Sequence, residues 1–270
     1  MVATTLNAQT LPPLAPARQM AIGLALACAV AVAWLANHIA LVWVIDPLAR
    51  PVLTIALVVV QVWLSVGLFI ISHDAMHGSL APFRPRVNAI AGQVALALYA
   101  GFSYRALLVK HHQHHRYAGT ADDPDFDHEN PDRPVRWYIA FMSEYMSWRL
   151  FGWVTLLAVA YSLAIFAFHP DGWWRWTHVF LFWLFPSLLA SMQLFWFGTF
   201  LPHRHEADYG FDDRHNARSN DYPVWLSLLT CFHFGYHHEH HAAPSVPWWR
   251  LPALREKALA PEPSPQGMPA

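Results

Sequence analysis

Four long apolar runs constrain the fold of this chain more than any other feature of its sequence. They occupy residues 19–45, 51–72, 150–168 and 177–201. The first contains no Asp, Glu, Lys or Arg, and the second has 22 residues. A helix of that length extends roughly 33 Å, which matches the hydrocarbon core of a bilayer. Because lipid offers no hydrogen-bond partners to a peptide backbone, the pattern predicts an all-α integral membrane protein with four transmembrane helices.

The composition agrees with a membrane protein and excludes one functional class. Charged residues make up only 13% of the chain, about half the fraction that is usual in soluble domains. The formal net charge of −1 argues against a nucleic-acid-binding protein, which needs a basic surplus. The two cysteines, Cys28 and Cys231, do not indicate a disulfide framework, and we expect both to be reduced.

The distribution of basic residues predicts the orientation of the spans. Four spans place both termini on one side of the membrane. Of the 17 Lys and Arg residues, only Arg50 and Arg175 fall in the two short turns on the opposite side. By the positive-inside rule, the face that carries the other 15 is cytoplasmic.

Three histidine clusters lie at or near the ends of the predicted spans, all on that cytoplasmic face. Their sequences are HDAMH, HHQHH and HHEHH. Because residues three and four apart share a helix face, we expect each cluster to present imidazoles to a metal. In the last cluster, His237, His240 and His241 could all converge on one ion. Eight imidazoles are too many for one tetrahedral zinc and indicate two metals. The eight are His73, His77, His111, His114, His115, His237, His240 and His241.

Residues 87–109 form an ambiguous apolar segment, which Gly92, Gly101 and Arg105 interrupt. If this segment crossed the membrane once, the first two histidine clusters would lie on opposite faces and could not share a site. We therefore expect an interfacial or re-entrant segment, with an ordinary fifth span as the alternative.

Further residues are candidates for supporting roles at the metals. His203 directly follows the last span, where a ninth ligand could approach the site. The polar loop 116–136 is rich in acidic residues, but it lacks the pattern of a calcium loop and we interpret it as solvated. Four acidic residues could hydrogen-bond the distal nitrogens of ligand histidines: Asp74, Asp125, Asp213 and Glu239.

The chain shows no internal repeat and no linker between domains. We expect a polar N-terminal tail over residues 1–17, one membrane catalytic domain over residues 18–252 and a disordered C-terminal tail over residues 253–270.

Several sequence blocks together resemble a known family. They are HDAMHG, HHQHHRYAGTADDPDF, FDDRHNARS and CFHFGYHHEHHAAPSVPWWRLP. The chain from about residue 70 to 252 is similar to the membrane fatty acid desaturase/hydroxylase superfamily and, more narrowly, to its bacterial β-carotene ketolases. His203 matches a lone histidine that follows the last span in related hydroxylases, although FGTFLP before it lacks the Asn-containing pattern of some of them. The resemblance implies a non-haem diiron centre held by these nine histidines, with O2 as oxidant.

The resemblance also implies a substrate and a reaction. A carotenoid from the bilayer would receive a keto group at C4 of its β-ionone rings, by two successive O2-dependent hydroxylations and loss of water. β-Carotene would give echinenone and canthaxanthin, and zeaxanthin could give astaxanthin. We expect Phe and Trp side chains of the spans, with Trp248 and Trp249, to line the substrate channel. No Gly-rich dinucleotide fingerprint is present, so we expect electrons from a separate donor such as ferredoxin. The enzyme would lie in the bacterial inner membrane.

Other functions stay open at this point. A carotenoid hydroxylase or a fatty-acyl desaturase or hydroxylase would use the same scaffold and metals on a different substrate or product. A membrane metal transporter belongs to another class, and it should place polar ligands along a path inside its spans. Here the histidines gather at one face, which favours the enzyme.

Overall fold

A computed structural model of the protein describes residues 11–205, 211 and 213–260, and these form helices without any strand. Four helical segments are long and apolar enough to cross a membrane. Each overlaps one of the predicted apolar runs, so the predicted all-α fold with four spans is confirmed. The segments are Pro16–Val44, Pro51–Met76, Trp148–Phe168 and Trp174–His203.

The first three spans are largely regular helices. Helix α1 (Pro16–Ile39) continues into a π-helical turn at Ala40–Val44, and α2 extends over Pro51–Met76. Both begin at a proline, whose missing N–H costs nothing in the first helical turn. Three shorter helices lie between the second and third spans. The third span is α6 (Trp148–Phe168), and the Ser147 hydroxyl caps its first turn.

The fourth span contains two π-helical turns. A 3₁₀ helix at Pro170–Thr177 leads to a π-helical turn at Phe180–Leu184, then to α7 (Phe185–Phe195). A second π-helical turn at Trp196–Phe200 precedes the short helix α8 (Leu201–His203). Each π-helical turn lies directly before a proline-containing turn, with Pro186 after the first and Pro202 after the second. Since proline cannot donate a backbone hydrogen bond, these irregular turns absorb the prolines within one continuous helix.

The ambiguous segment 87–109 turns back on itself and does not form a fifth span. Helices α3 (Pro85–Tyr99) and α4 (Tyr104–Tyr117) have 15 and 14 residues, too few to cross a bilayer. The chain reverses at Gly101, whose φ of 74° is left-handed. The Tyr104 hydroxyl then donates to the carbonyl of Ala75 on α2, at 2.8 Å. As a result, α4 returns to the end of α2 from which α3 departs.

The remaining helices are short and lie around the histidine-bearing ends of the spans. One of them contradicts the prediction that residues 253–270 are disordered, because helix α11 extends over Leu251–Leu259. Leu251 and Leu254 of α11 are buried against Tyr236, which gives this segment an apolar contact that its polar composition did not indicate. Residues 1–10 and 261–270 of the two predicted tails lie outside the described residues. The other short helices are α5 (Pro134–Tyr145), α9 (Val224–Cys231), α10 (His237–Ala242) and the 3₁₀ turn Trp248–Arg250.

Two glycines on different spans receive the two phenylalanines that lead into α10. Phe232 has a left-handed φ of 49°, and its ring occupies the space where a Cβ at Gly67 would lie, 2.6 Å away. The Phe234 ring lies at the same distance from a Cβ position at Gly198. Phe234 in turn contacts His73, with ring centroids 4.5 Å apart. These close contacts hold the third histidine cluster between the second and fourth spans.

We predict that Gly198→Ala destabilises the protein and weakens its metal binding. The added methyl group would overlap the Phe234 ring, and overpacking of this kind costs about 1–3 kcal/mol. Gly152→Ala is the matched control, because nothing lies within 4 Å of a Cβ at that helical position. Thermal unfolding and bound iron of the detergent-purified variants should be measured. Equal stability and iron content in the two variants would contradict the proposed packing role.

Candidate metal centre

Nine histidines from four helical elements come together at the ends of the spans, and they form two groups. Within each group, the candidate ligand atoms all lie within 4.8 Å of one another. The structure thus brings together all nine predicted candidates, while their role as ligands stays a prediction. The five-histidine group contains His73, His77, His111, His115 and His240, and the four-histidine group contains His114, His203, His237 and His241.

The histidines of α10 are distributed between the two groups, which differs from the expectation. His237, His240 and His241 do not converge on one metal position, because His240 belongs to the five-histidine group and the other two to the four-histidine group. Adjacent residues on a helix point about 100° apart, so His240 and His241 face different sides of α10. Helix α10 therefore lies between the two groups and contributes to both.

The Nε2 atoms within the groups lie at distances that suit a shared cation. Two neutral imidazoles that face each other this closely either share one proton in an N–H···N hydrogen bond or repel each other through their lone pairs. A metal–imidazole bond of about 2.1 Å places two nitrogens at right angles about 3 Å apart. The observed pairs are His77–His111 at 2.6 Å, His203–His237 at 2.9 Å, His115–His240 and His237–His241 at 3.0 Å, and His114–His241 at 3.2 Å.

Burial keeps most of these imidazoles neutral, which is the form that binds metals. Burial lowers the pKa of His77 to about 3, with neighbouring histidines adding to the effect. His73 has both ring nitrogens buried without a hydrogen-bond partner among the described residues. Orphaned buried nitrogens and an all-imidazole donor set fit transition-metal ions such as iron. Burial also holds the pKa well below its usual range for His111, His115, His237, His240 and His241.

Asp123 fixes the orientation of His114, a role that the sequence interpretation missed. The Nδ1–H of His114 donates to both carboxylate oxygens of Asp123, at 2.9 and 3.0 Å. Burial opposes the charged form of His114, but Asp123 and Asp125 outweigh it and raise the pKa of His114 to about 9. Because Nδ1–H donates to Asp123, Nε2 is the nitrogen that faces the four-histidine group, where a bound metal ion would displace any proton that it carries. Asp123 belongs to the acidic loop that we interpreted as solvated, and no sequence signal separates it from the other acidic residues of that loop.

His203 is oriented by the backbone. Its Nδ1 lies 2.7 Å from the carbonyl oxygen of Asn216, to which it donates. With Nδ1 held by this hydrogen bond, Nε2 of His203 faces His237 in the four-histidine group. Asn216 has a left-handed φ of 44°, and its side-chain amide donates to the carbonyl of Ala118, beyond the end of α4.

None of the four predicted acidic partners hydrogen-bonds a grouped histidine in the described chain. Asp74 accepts from the backbone N–H of Trp248 at 3.1 Å, and its carboxylate lies 3.9 Å from His73 Nδ1. Asp213 pairs at 2.8 Å with His238, which belongs to neither group. The expected contacts fail because these carboxylates are engaged by nearer backbone and side-chain donors.

Asp125 and Glu239 also have other partners. Asp125 accepts from the Tyr145 hydroxyl, and its second oxygen lies 3.8 Å from His114 Nδ1. Burial, with the neighbouring Asp123 carboxylate, raises the pKa of Asp125 to about 6. Glu239 is buried between histidines of α10, where it accepts from Ser219 and, at 2.7 Å, from Arg255 of α11. Glu239 thus links the C-terminal helix α11 to α10.

An apolar cavity opens onto both histidine groups. His73 and His111 of one group line it together with His114 and His237 of the other. The expected tryptophans, Trp248 and Trp249, are not among its lining residues. Instead, its apolar wall comes from the second and fourth spans and from the helices between them: Phe69, Met76, Phe102, Phe141, Leu194 and Phe195.

Comparisons with known proteins agree with this site. A family model described as fatty acid desaturase matches residues 47–153 and 140–269. The chain is 56% identical to a β-carotene ketolase of Paracoccus sp. (strain N81106 / MBIC 01143), over 83% of this chain and 88% of that protein. It is 52% identical to the β-carotene ketolase of Paracoccus sp. (strain PC1), over 87% and 93%. A zeaxanthin 4-ketolase of Chlamydomonas reinhardtii is 38% identical over 74% and 44%. No solved structure matches the chain.

We predict that Asp123→Asn lowers the affinity for iron about ten- to hundredfold, as loss of a carboxylate behind a ligand histidine generally does. The amide cannot accept from His114, Gly119 and Asp125 as the carboxylate does. Competition with a chelator of known iron affinity gives the measurement. Asp122→Asn on the same loop is the control, since the Asp122 side chain makes no hydrogen bond among the described residues and is exposed. An unchanged affinity in Asp123→Asn would contradict the role of Asp123.

We also predict that Arg255→Leu destabilises the protein by about 3 kcal/mol, because it leaves a buried carboxylate without its cation. The Glu239 side chain is only 3% exposed. The double variant Glu239→Gln with Arg255→Leu should recover most of the loss, since it buries no unpaired charge. Denaturant unfolding of both variants tests the coupling. If the double variant is as unstable as the single one, the ion pair is not what attaches α11.

Proposed function

The chain belongs to the fatty acid desaturase family, and from that premise we propose that it is a carotenoid 4-ketolase. The observation that carries the proposal is the meeting of two histidine groups at one apolar cavity. Such a cavity suits a hydrocarbon substrate from the bilayer, and β-carotene is the substrate that the names of the relatives support. The relative named zeaxanthin 4-ketolase supports 3-hydroxylated rings as a second substrate class.

We assign the five-histidine and four-histidine groups as the ligands of two iron ions. Histidine-bound iron supplies the activation of O2 that oxidation of an allylic C–H bond requires. Asp123 and Asn216 hold His114 and His203 in the tautomer whose Nε2 is free for a metal. Phe69 and Phe195 shield the reacting ring from water and, with the rest of the cavity wall, decide which carbon faces the histidines.

The stoichiometry of the reaction calls for an external reductant. Each hydroxylation at C4 consumes one O2, two electrons and two protons and releases one water. The second gives a geminal diol, which loses water to leave the ketone, so each ring uses two O2 and four electrons. We propose a ferredoxin-type donor. Exposed basic side chains near the histidine end of the spans offer an acidic donor a docking surface: Arg84, Arg86, Arg116, Arg133 and Arg136.

The proposed location is the inner membrane of a bacterium, among lipids that dissolve the carotenoid. The histidine groups and both termini lie on the cytoplasmic side, which the distribution of Lys and Arg supports. This placement would give a soluble donor direct access to the histidine end of the protein. Labelling of cysteines introduced in the loop 116–136 of intact cells tests the orientation.

Product analysis in bacterial cells that already make β-carotene tests the function. We expect 4-keto carotenoids, and their carbonyl oxygen should carry the label when the cells grow under isotope-labelled O2. A ring hydroxylated at another carbon as the end product would identify a hydroxylase. Unchanged carotene with altered lipid chains would identify an acyl desaturase or hydroxylase. Metal uptake without any oxygenated product would identify a transporter.

We predict that His237→Ala abolishes ketone formation in this assay, because His237 lies 3.0 Å or closer to two other candidate ligands. His238→Ala is the matched control on the same helix. Its side chain points away from both groups and pairs with Asp213, so ketone formation should stay within about threefold of the wild-type rate, as for other substitutions away from a site. Full activity of His237→Ala would refute the ligand assignment.

A further inference from the structure

The cavity beside the histidine groups is apolar except for a few side chains, and most of those are already engaged. The Tyr99 hydroxyl donates to the carbonyl of Ser187 at 3.1 Å. The Ser191 hydroxyl donates to Leu188, and it lies 2.6 Å from the Tyr138 hydroxyl. Apart from histidines, Asp125, Tyr145 and Thr199 are the polar lining residues that remain.

Asp125 is held in a fixed orientation by its surroundings. Its backbone N–H donates to Asp123 at 2.8 Å, and its carbonyl accepts from the indole of Trp137 at 2.7 Å. Its Oδ1 accepts from the Tyr145 hydroxyl. Tyr145 itself is fixed by the Lys110 ammonium, which lies 4.7 Å from the centre of its ring. Asp125 and Tyr145 both line the cavity.

One oxygen of Asp125 has no hydrogen bond to any residue that the structure describes. This atom, Oδ2, lies 3.8 Å from Nδ1 of His114, one of the histidines that line the cavity. The Asp125 side chain is 13% exposed, and it lines both this mostly apolar cavity and a polar pocket formed by the acidic loop. A β-ionone ring without oxygen cannot form a hydrogen bond with this free acceptor, because the ring carries no hydrogen-bond donor. The oxygen suits a ring that carries a hydroxyl group.

We propose that Asp125 and Tyr145 bind the hydroxyl group of the alcohol that the first oxidation creates at C4, and so retain this intermediate for the second oxidation. The inference rests on the proposed function. The O–H of the alcohol donates to Asp125 Oδ2, while Tyr145, by donating to Oδ1, holds the carboxylate plane. The retained alcohol keeps its remaining C4 hydrogen turned toward the histidine groups.

This role explains how one site oxidises the same carbon twice. The first product is more polar than the substrate, and an entirely apolar cavity would favour its release over a second turnover. A hydrogen bond to a buried carboxylate favours retention by about tenfold or more. Asp125 and Tyr145 are thus binding and positioning residues for the second step and do not contribute to the first.

The test follows the ratio of 4-hydroxy to 4-keto products from β-carotene. Asp125→Asn should raise this ratio about tenfold, the factor expected when the hydrogen bond from the alcohol no longer reaches a charged group, while total ring oxidation changes little. Tyr145→Phe leaves the carboxylate free to rotate and should raise the ratio in the same direction by a smaller factor. With a 4-hydroxylated carotenoid supplied as substrate, its KM should rise by a similar factor, and the KM for β-carotene should not change. Bound iron, measured in each variant, should equal that of the wild type.

Matched controls on the same elements separate this role from general disturbance. Tyr138→Phe removes a hydroxyl from the same helix as Tyr145, and Asp127→Asn removes a carboxylate from the same loop as Asp125. Neither should change the product ratio. Tyr145→Phe keeps the ring in place, so it tests the proposal even if Asp125→Asn does not fold.

Two results would overturn the inference. One is a wild-type product ratio in iron-loaded Tyr145→Phe. The other is a shift of the ratio in Thr199→Val that Tyr145→Phe does not show, which would assign the hydroxyl to the fourth span. If the wild-type protein makes no 4-oxygenated product at all, the proposed function itself fails, and that outcome is distinct from an unchanged ratio.

Discussion

The whole structure depends on holding nine imidazoles together in a largely buried space. Facing lone pairs about 3 Å apart repel one another, and buried nitrogens without partners cost free energy. A cation in each group removes both penalties at once. Metal binding would therefore be coupled to folding, since the free energy that binds the ions would offset the cost of gathering their ligands. The surrounding helices must be rigid enough to hold that arrangement.

The membrane spans supply this rigidity, and small residues decide how closely the histidine-bearing helices approach them. Gly67 and Gly198 admit Phe232 and Phe234, so that α10 is held between two spans before its histidines begin. On the opposite side, Arg255 of the C-terminal helix pairs with the buried Glu239 of α10. Helix α10 is only six residues long, and it contributes to both histidine groups. Its position therefore follows from contacts with its neighbours and not from its own helical stability.

The chemistry that this arrangement supports combines an apolar substrate with progressively more polar products. The cavity wall suits a hydrocarbon ring, and the histidine groups form one end of that wall. The Asp125–Tyr145 pair adds one anchored acceptor beside His114. We interpret the pair as the feature that separates a ketolase, which oxidises one carbon twice, from an enzyme that stops at the alcohol.

Much of the fold and of the candidate site was predictable from the sequence, because the signals concerned are local. Uncharged runs of membrane-spanning length predicted the four spans. The spacing of the histidines located eight of the nine that the structure brings together, and the position of His203 directly after the last span indicated the ninth. Only the tertiary structure decided which histidines share a group, which carboxylate supports His114 and that residues 253–259 form a helix. The physical reason is that helical periodicity specifies directions around one axis, whereas the partner of each side chain depends on the distance and angle between helices. Asp123, rather than Asp125, reaches His114 because of how its loop folds back on α4, which spacing along the chain does not encode.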